Sequence, residues 1–546
     1  MAERHIQLDL VLKRPSSSSS DEDNASLASP RSVTDTESLK TIVPVESCRP
    51  SEFSSLAAEV AFIITILVSL MMSEYFTSGF NIILPNVSKS LSISPQDRTW
   101  PISAPNLAAG ALLLPASRLC DRYGSRFIFL IGHTWLCGWS IANGFSTGTI
   151  FTIMCRTMQG IGFAAFLPSG LSLLGQVYRP GPRKNKVYCL YGAFACIGFY
   201  FGIFTASSAI QFLSWRWYFW AGAIIEAIIV VGGFFAIPSG LKDHDPLVRM
   251  DWWGVVTIVP GVGFLVFAFS YGGHAPDGWK TPCILVAFVL CAALLSAAVY
   301  TQGWVSSNPL VPPRIFKPTY LKRILGITLC CNGIWTLFLF YSSLYFNNVL
   351  HPSPTLAAAW YTPLAVGGIV LAIVGGLILH IVSSYILLLA SGLGFLLCTL
   401  ILSLIPLQPF DLAPSDSYKV YWSYVFPAMC SGTIGINIML NVTNVFCTSA
   451  VSKKDQALIG GIINSLSYLG AAFWLGLSDA AISVTRSLKT EKLGEQEQYK
   501  IGFWMAAGLA IVALCLSSTA RIGSASAKAI GEEEVVDEKG GDMRAN

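Results

Sequence analysis

The sequence predicts an all-α integral membrane protein with fourteen transmembrane helices, and three observations lead there. Only 12% of the 546 residues are charged, while 53% are hydrophobic; a soluble domain carries about twice that share of charge. The apolar residues fall into blocks of about 20 or more, each enough to cross a hydrocarbon core of about 30 Å as a helix. A soluble chain of this length divides into several separate cores, and these blocks are not arranged to build them. A secreted enzyme, a nucleic-acid binder and a disulfide scaffold are excluded at this level. The net charge of +4 is too weak to point to a polyanionic partner. The fourteen cysteines form no CxxC pair and sit mostly in apolar runs, where cysteine behaves as a small hydrophobe.

Residues 1–55 are polar and serine-rich, with SSSSSDED at 16–23, a composition that cannot bury a core and predicts a disordered tail. The serines beside Asp21, Glu22 and Asp23 suit phosphorylation, and a plain solvated tail fits them equally well. No cleavable signal is evident, so the first span directs insertion. The spans are read near 57–84, 99–116, 127–146, 149–175, 187–210, 216–238, 252–272, 281–303, 321–347, 356–379, 382–406, 420–447, 456–482 and 500–520, and a polar tail follows at 523–546. Fourteen spans divide as a six-helix bundle over 56–240, a two-helix insert over 241–318 and a second six-helix bundle over 319–522. Repeats of this kind build transporters with a substrate site at mid-membrane between the halves.

An even number of spans puts both tails on one side. The even-numbered loops carry fifteen Lys and Arg residues and the odd-numbered loops nine, four of the nine in 483–500 beside three glutamates. The positive-inside rule therefore places both termini in the cytoplasm. Small residues at Gly198-x-x-x-Gly202, Gly367-Gly368, Gly375-Gly376 and Gly460-Gly461 suit close helix packing.

The connection after the second span reads Ser117-Arg-Leu119-Cys-Asp121-Arg122-Tyr-Gly124-Ser-Arg126. It resembles the G-x-L-x-D-R-x-G-R-R signature of the major facilitator superfamily, with Ser117 and Ser125 as departures. Asp121 among Arg122 and Arg126 suits a charge network at a cytoplasmic helix end, made in one gate state and broken in the other, and Gly124 permits a tight turn. The fourth span carries Arg156-Thr-Met-Gln159-Gly160, similar to that family's R-x-x-Q-G motif. An arginine in an apolar run normally faces a bundle interior or a water-filled cavity, and Gln159 shares its helical face. The resemblance implies a part for Arg156 in proton transfer.

The fifth span keeps Gly198-Phe-x-x-Gly202 but lacks the proline and paired glycines of the antiporter signature. With Trp215-Arg-Trp217 and Asp251-Trp252-Trp253-Gly254, the chain resembles the fungal aminotriazole-resistance-like branch of the fourteen-helix drug:proton antiporters. Asn81, Leu84 and Pro85 match the first-span motif of that group, whereas Phe76 stands at its aspartate position. In the second half, His380 stands where the repeated loop signature has its aspartate, which predicts a weak second latch.

Beside Arg156, the ionisable residues singled out inside the spans are Glu74 and Glu226; each must be protonated, paired or facing a cavity. The resemblance puts Glu74 and Arg156 together on the central cavity and Glu226 at the periphery. Tyr75, Phe76, Trp335 and Tyr341 are candidates to stack on an apolar or cationic solute, or to pack against lipid. There is no phosphate-binding loop, nucleophile elbow or metal-ligand spacing. No enzyme, metal or cofactor is therefore expected beyond a proton gradient. Asn86-Val-Ser88 is a glycosylation sequon on the outer side; Asn441-Val-Thr443 lies inside a span and is discarded.

The expectation is a monomeric multi-pass protein of the plasma membrane. It would export a small organic toxin or metabolite in exchange for protons, with the bilayer and the small molecule as its partners and no nucleic acid. A facilitator or importer of ammonium, sugar or amino acid, and a transporter-like sensor, are the alternatives.

Overall fold

Helices supply all the regular structure of the described residues. The computed structural model describes residues 50, 52–178, 182–239, 241, 248–273, 275, 277–378, 382–407, 414–451, 455–488, 494–520 and 522. The first six helices are α1 (Leu56–Ser90), α2 (Trp100–Tyr123), α3 (Ser125–Gly144), α4 (Thr149–Val177), α5 (Pro182–Phe212) and α6 (Arg216–Ala236). Then come α7 (Trp252–Gly272) and α8 (Pro282–Tyr300). The remainder are α9 (Leu321–Tyr345), α10 (Pro354–Trp360), α11 (Thr362–Ile378), α12 (Ser384–Ser403), α13 (Pro414–Val420), α14 (Phe426–Ser449), α15 (Gln456–Leu488) and α16 (Glu495–Thr519).

Local chemistry sets several ends. Ser55 caps α1 by accepting from the Ala58 N–H, and Ser353 caps α10 in the same way through Leu356. Proline lacks a backbone donor and crowds the carbonyl four residues back. Accordingly α10 and α11 break at Tyr361 just before Pro363, and a π-turn at Tyr421–Val425 precedes Pro427 between α13 and α14. Each pair continues as one span, so among the described residues the sixteen helices make fourteen segments, and twelve of these are individually long and apolar enough to cross a membrane. The two that fall short are α2, with two internal prolines and three charges at its end, and α3, with His133 and three polar hydroxyls.

Packing sorts the segments into three groups. In the first, α1 lies on α5 and α6, α2 on α4, and α3 on α4 and α6. In the last, α9 lies on α15 and α16, α12 on α14 and α16, and α11 on α14. The α7–α8 pair rests against α15 and α2, on the seam between the two bundles. The seam itself is made by α2 against α15, α5 against α10 and α11, and α1 against α9.

Asp251 fastens the insert. It caps α7 through the Gly254 N–H (3.0 Å) and accepts from Gln302 Nε2 (2.6 Å) and the Leu310 N–H (3.1 Å). Arg118 of α2 then holds the Pro309 carbonyl at 3.3 Å, and Arg314 pairs with Asp455 at 3.1 Å. This gives the Asp251-Trp-Trp-Gly254 sequence a physical reason: a Cβ at Gly254 would collide with Asp251 and Gln302.

Several expected boundaries shift. Helix α1 continues through Pro85 to Ser90, and α16 starts at Glu495 because the Glu497 side chain accepts from the Gly494 N–H. The expected N-terminal tail reached residue 55, yet Phe53 is buried and packs on Phe62 with ring centroids 5.3 Å apart. Residues 1–49 and 523–546, which hold most of both expected tails, lie outside the described residues, as does His380.

Candidate functional site

The site begins with how closely α1 and α5 cross. A Cβ on Gly198 would lie 2.4 Å from the Met71 carbonyl oxygen, and one on Gly202 would lie 2.5 Å from that of Tyr75. Gly79 is equally crowded from the other side by the Gly202 carbonyl. Ser78 Oγ donates to the Phe199 carbonyl at 2.7 Å across this contact. On α1, Tyr75 stacks on Tyr218 of α6 at 4.8 Å, and each hydroxyl donates to the other's backbone carbonyl at 2.7 and 2.6 Å. Tyr75 and Phe76 are wholly buried inside the first bundle, and Tyr341 is buried in the second with its hydroxyl on Ser478 at 2.8 Å. These three cannot stack on a solute in this state, which corrects the expectation for them. Trp335 is half-buried and meets Phe199 across the seam, at 5.5 Å between centroids.

Arg156 is a tie between helices. Its Nε donates to the Pro101 carbonyl (3.1 Å), Nη1 to Gln159 Oε1 (2.9 Å) and Nη2 to the Phe76 carbonyl (3.1 Å). Its guanidinium carbon lies 4.2 Å from the Phe80 ring centroid. Gln159 passes the connection on to Ser140 of α3 at 2.9 Å. One buried charge thus links α4 to α1, α2 and α3, with carbonyl oxygens as its counter-dipoles. Gly160, the next residue of the motif, lets α4 approach the backbone of Pro105.

Glu74 points elsewhere. Residues 74 and 76 lie about 200° apart around a helix, and only the Phe76 side of α1 carries Arg156. Glu74 is half-buried near the middle of α1. Tyr191 and Cys196 of α5 and Tyr468 of α15 are within electrostatic range of it. Cys196 also contacts Asn437 of α14 at 3.8 Å. The carboxylate therefore sits in the seam, walled by half-buried residues from both bundles, and apart from Arg156.

Glu226 is fully buried and paired within the first bundle. Its Oε2 lies 2.6 Å from His133 Nδ1, and His133 Nε2 lies 2.7 Å from Ser69 Oγ. Phe166 stacks on the imidazole at 4.2 Å. His133 had no recognisable spacing in sequence; the signal available was an imidazole in the third span with a carboxylate in the sixth.

The loop signature lies on helix ends. Asp121 and Arg122 belong to the last turn of α2, and Gly124 alone joins α2 to α3, at φ +93°. Arg126 Nη2 donates to the Phe234 carbonyl at 2.7 Å, which fastens α3 to the end of α6. Asn86 lies inside α1, and the Ser88 hydroxyl of its sequon is buried without a hydrogen-bond partner.

Two carboxylates were missed. Glu59, at the start of α1, accepts from Arg183 Nη2 (2.6 Å), Arg183 Nε (3.0 Å) and Tyr178 (2.9 Å), joining α1 to α5. Asp479, inside the expected span 456–482, is buried and accepts from the Thr99 hydroxyl at the head of α2.

Comparison with known proteins agrees with this architecture. Residues 66–475 match the model of the family described as Major Facilitator Superfamily. An efflux pump, terJ, of Aspergillus terreus is 27% identical over 85% of this chain and 88% of its own length. A low affinity ammonium transporter of Saccharomyces cerevisiae is 26% identical, covering 77% of this chain and 80% of its own. The aminotriazole resistance protein of the same yeast is 24% identical over 86% and 85%. The chain is a multi-pass membrane transporter and belongs to the Major Facilitator Superfamily.

Proposed function

We propose that this transporter exports a small organic compound in exchange for protons, rocking its two bundles about the α2–α15 and α5–α11 contacts. The observation that carries the reading is Glu74, a carboxylate in the seam between halves. A carboxylate beside Tyr191 and Tyr468 suits a cationic or hydrogen-bond-donating organic solute, and it is also a group able to take up and release a proton. Arg156 serves as a positioning residue that holds the Phe76 side of α1 rigid, so that Glu74 keeps its place in the seam. Efflux agrees with the names of the Aspergillus pump and the aminotriazole resistance protein. A facilitator or importer of a small nutrient is the second reading, favoured by the ammonium transporter.

Its setting is the plasma membrane, with both tails cytoplasmic, a single copy of the chain and no cofactor beyond the proton gradient. Protease added to intact cells should spare epitopes at residues 20 and 540. The function is tested by flux of candidate compounds into inside-out vesicles with and without a pH gradient. Export predicts uptake that rises with an acidic lumen, and Glu74→Gln, which keeps the shape but cannot ionise, should bind cargo yet lose that response. Flux indifferent to the gradient in the unmutated protein would give the facilitator reading first place.

A further inference from the structure

A group that couples protons to rocking must see different surroundings in the two states. The Ser69–His133–Glu226 chain does not meet this condition, because its three members sit on α1, α3 and α6 of one bundle and move together. Asp479 meets it. Its carboxylate is on α15 of the second bundle, and the hydroxyl that donates to it belongs to Thr99 at the head of α2 in the first. Both residues are buried. On this same face, where the α1–α2 connection runs, Ser343 of α9 donates to the Asn81 carbonyl of α1 at 2.6 Å. The Thr355 N–H donates to Gln211 of α5 at 3.0 Å. The two halves are thus closed on each other here.

We propose that Thr99 and Asp479 form the clasp of this face, and that Asp479 takes up a proton from this side as the clasp closes. The reasoning is electrostatic. Parting the halves exposes Asp479 to water, while closing them buries it, and burial costs a charge far more than a neutral group. By linkage, the closed state then binds the proton more readily, and acid on this side favours closure. The charges that reach Asp479 are those of Arg486 on its own helix, which attracts it, and of Asp97 before α2, which repels it; the neutral Tyr341 of α9 lies within range of its charge. A polar hollow of about 190 Å³ also opens between the bundles on this face. Arg98, from the α1–α2 connection, lines it with Arg486, Glu495 and Tyr499.

The proposal deepens the proton-exchange reading but is tested without flux of a cargo. The probe is a membrane-impermeant maleimide added from outside, its attachment to Ser343→Cys read at that site by peptide mass spectrometry. Because maleimide attacks the thiolate, whose share itself rises with pH, labelling is taken throughout relative to that of Lys280→Cys, which is exposed between α7 and α8. This relative labelling should quicken as the outside pH is raised, by up to about tenfold per unit, the limit for one proton. Asp479→Asn, which cannot ionise, should label slowly at every pH, whereas Glu74→Gln should keep the pH response. Labelling that ignores pH in the parent, or a response that survives Asp479→Asn, would overturn the proposal. As a second check, Thr99→Cys with Asp479→Cys should cross-link under oxidant and hold Ser343→Cys unlabelled until reductant is added. A pair that does not cross-link, or a cross-linked protein that still labels, would show that the contact is no clasp. Proton-driven transport failing while the labelling responds would count against the exporter reading alone.

Discussion

Replacing Gly202 by alanine tests the α1–α5 crossing on which the site stands. The added Cβ would fall 2.5 Å from the Tyr75 carbonyl oxygen, 2.7 Å from Ser78 Oγ and 2.8 Å from the Tyr75 Cα. Two of these three are backbone atoms, so rotamer changes cannot relieve them. Carbon and oxygen need about 3.3 Å, so the helices must part by about 0.8 Å at this point. Overpacking of that kind costs about 1–3 kcal/mol, partly offset by the roughly 1 kcal/mol that alanine gains over glycine in a helix interior. The net expectation is a loss of up to about 2 kcal/mol, with weakened Ser78–Phe199 and Tyr75–Tyr218 bonds. Gly138→Ala is the control: Gly138 is exposed on α3 with nothing within 4 Å of its Cβ position, so only the helical gain remains. Thermal unfolding in detergent, followed by tryptophan fluorescence, should lower the midpoint for Gly202→Ala and leave it equal or higher for Gly138→Ala. A Gly202→Ala protein as stable as the Gly138→Ala control would refute the claim of a tight crossing.

Three further outcomes follow from the same geometry. Arg156→Ala should lose about 2–5 kcal/mol, since two carbonyls and Gln159 are left without their donor, and Arg156→Lys should recover only part of this because an ammonium lacks the planar fork; equal melting of Arg156→Ala and parent would remove the tie. At Asp251 burial opposes the charge, but hydrogen bonds from Gln302, Gly254, Leu310 and Ser306 outweigh it and hold the carboxyl below its usual range. Its contribution to stability is therefore complete above about pH 4 and lost as pH falls through the lower folded value, whereas Asp251→Asn should melt earlier at neutral pH, by about 1 kcal/mol, and show none of that acid step; a shared acid profile would argue against it. For the buried pair, His133→Gln and Glu226→Gln should each destabilise, and the double variant by less than their sum; strict additivity in melting would mean the 2.6 Å contact carries no coupling.

The sequence alone determined the class of protein and where its apolar helical segments lie along the chain. A hydrocarbon core leaves no partner for an unsatisfied peptide group, so any block of about 20 apolar residues must become a spanning helix. That argument is local, and among the described residues it holds for twelve segments, including those that Pro363 and Pro427 divide, while α2 and α3 are helices in the expected places but less apolar. It also made Arg156 stand out, because a charge in an apolar run is conspicuous wherever it points. Direction is what sequence could not decide. Glu74 and Phe76 differ by two residues, yet one faces α5 and α15 across the seam and the carbonyl of the other caps Arg156 inside the first bundle. His133 became meaningful only when α3 and α6 packed and put Glu226 beside it. Asp479 gained a role only because α15 lies against α2, a contact spanning 380 residues of sequence. Spans follow from the solvent each segment must enter, whereas sites follow from which helix faces which, and in a bilayer that is set by close packing of particular surfaces such as Gly198 and Gly202 against α1.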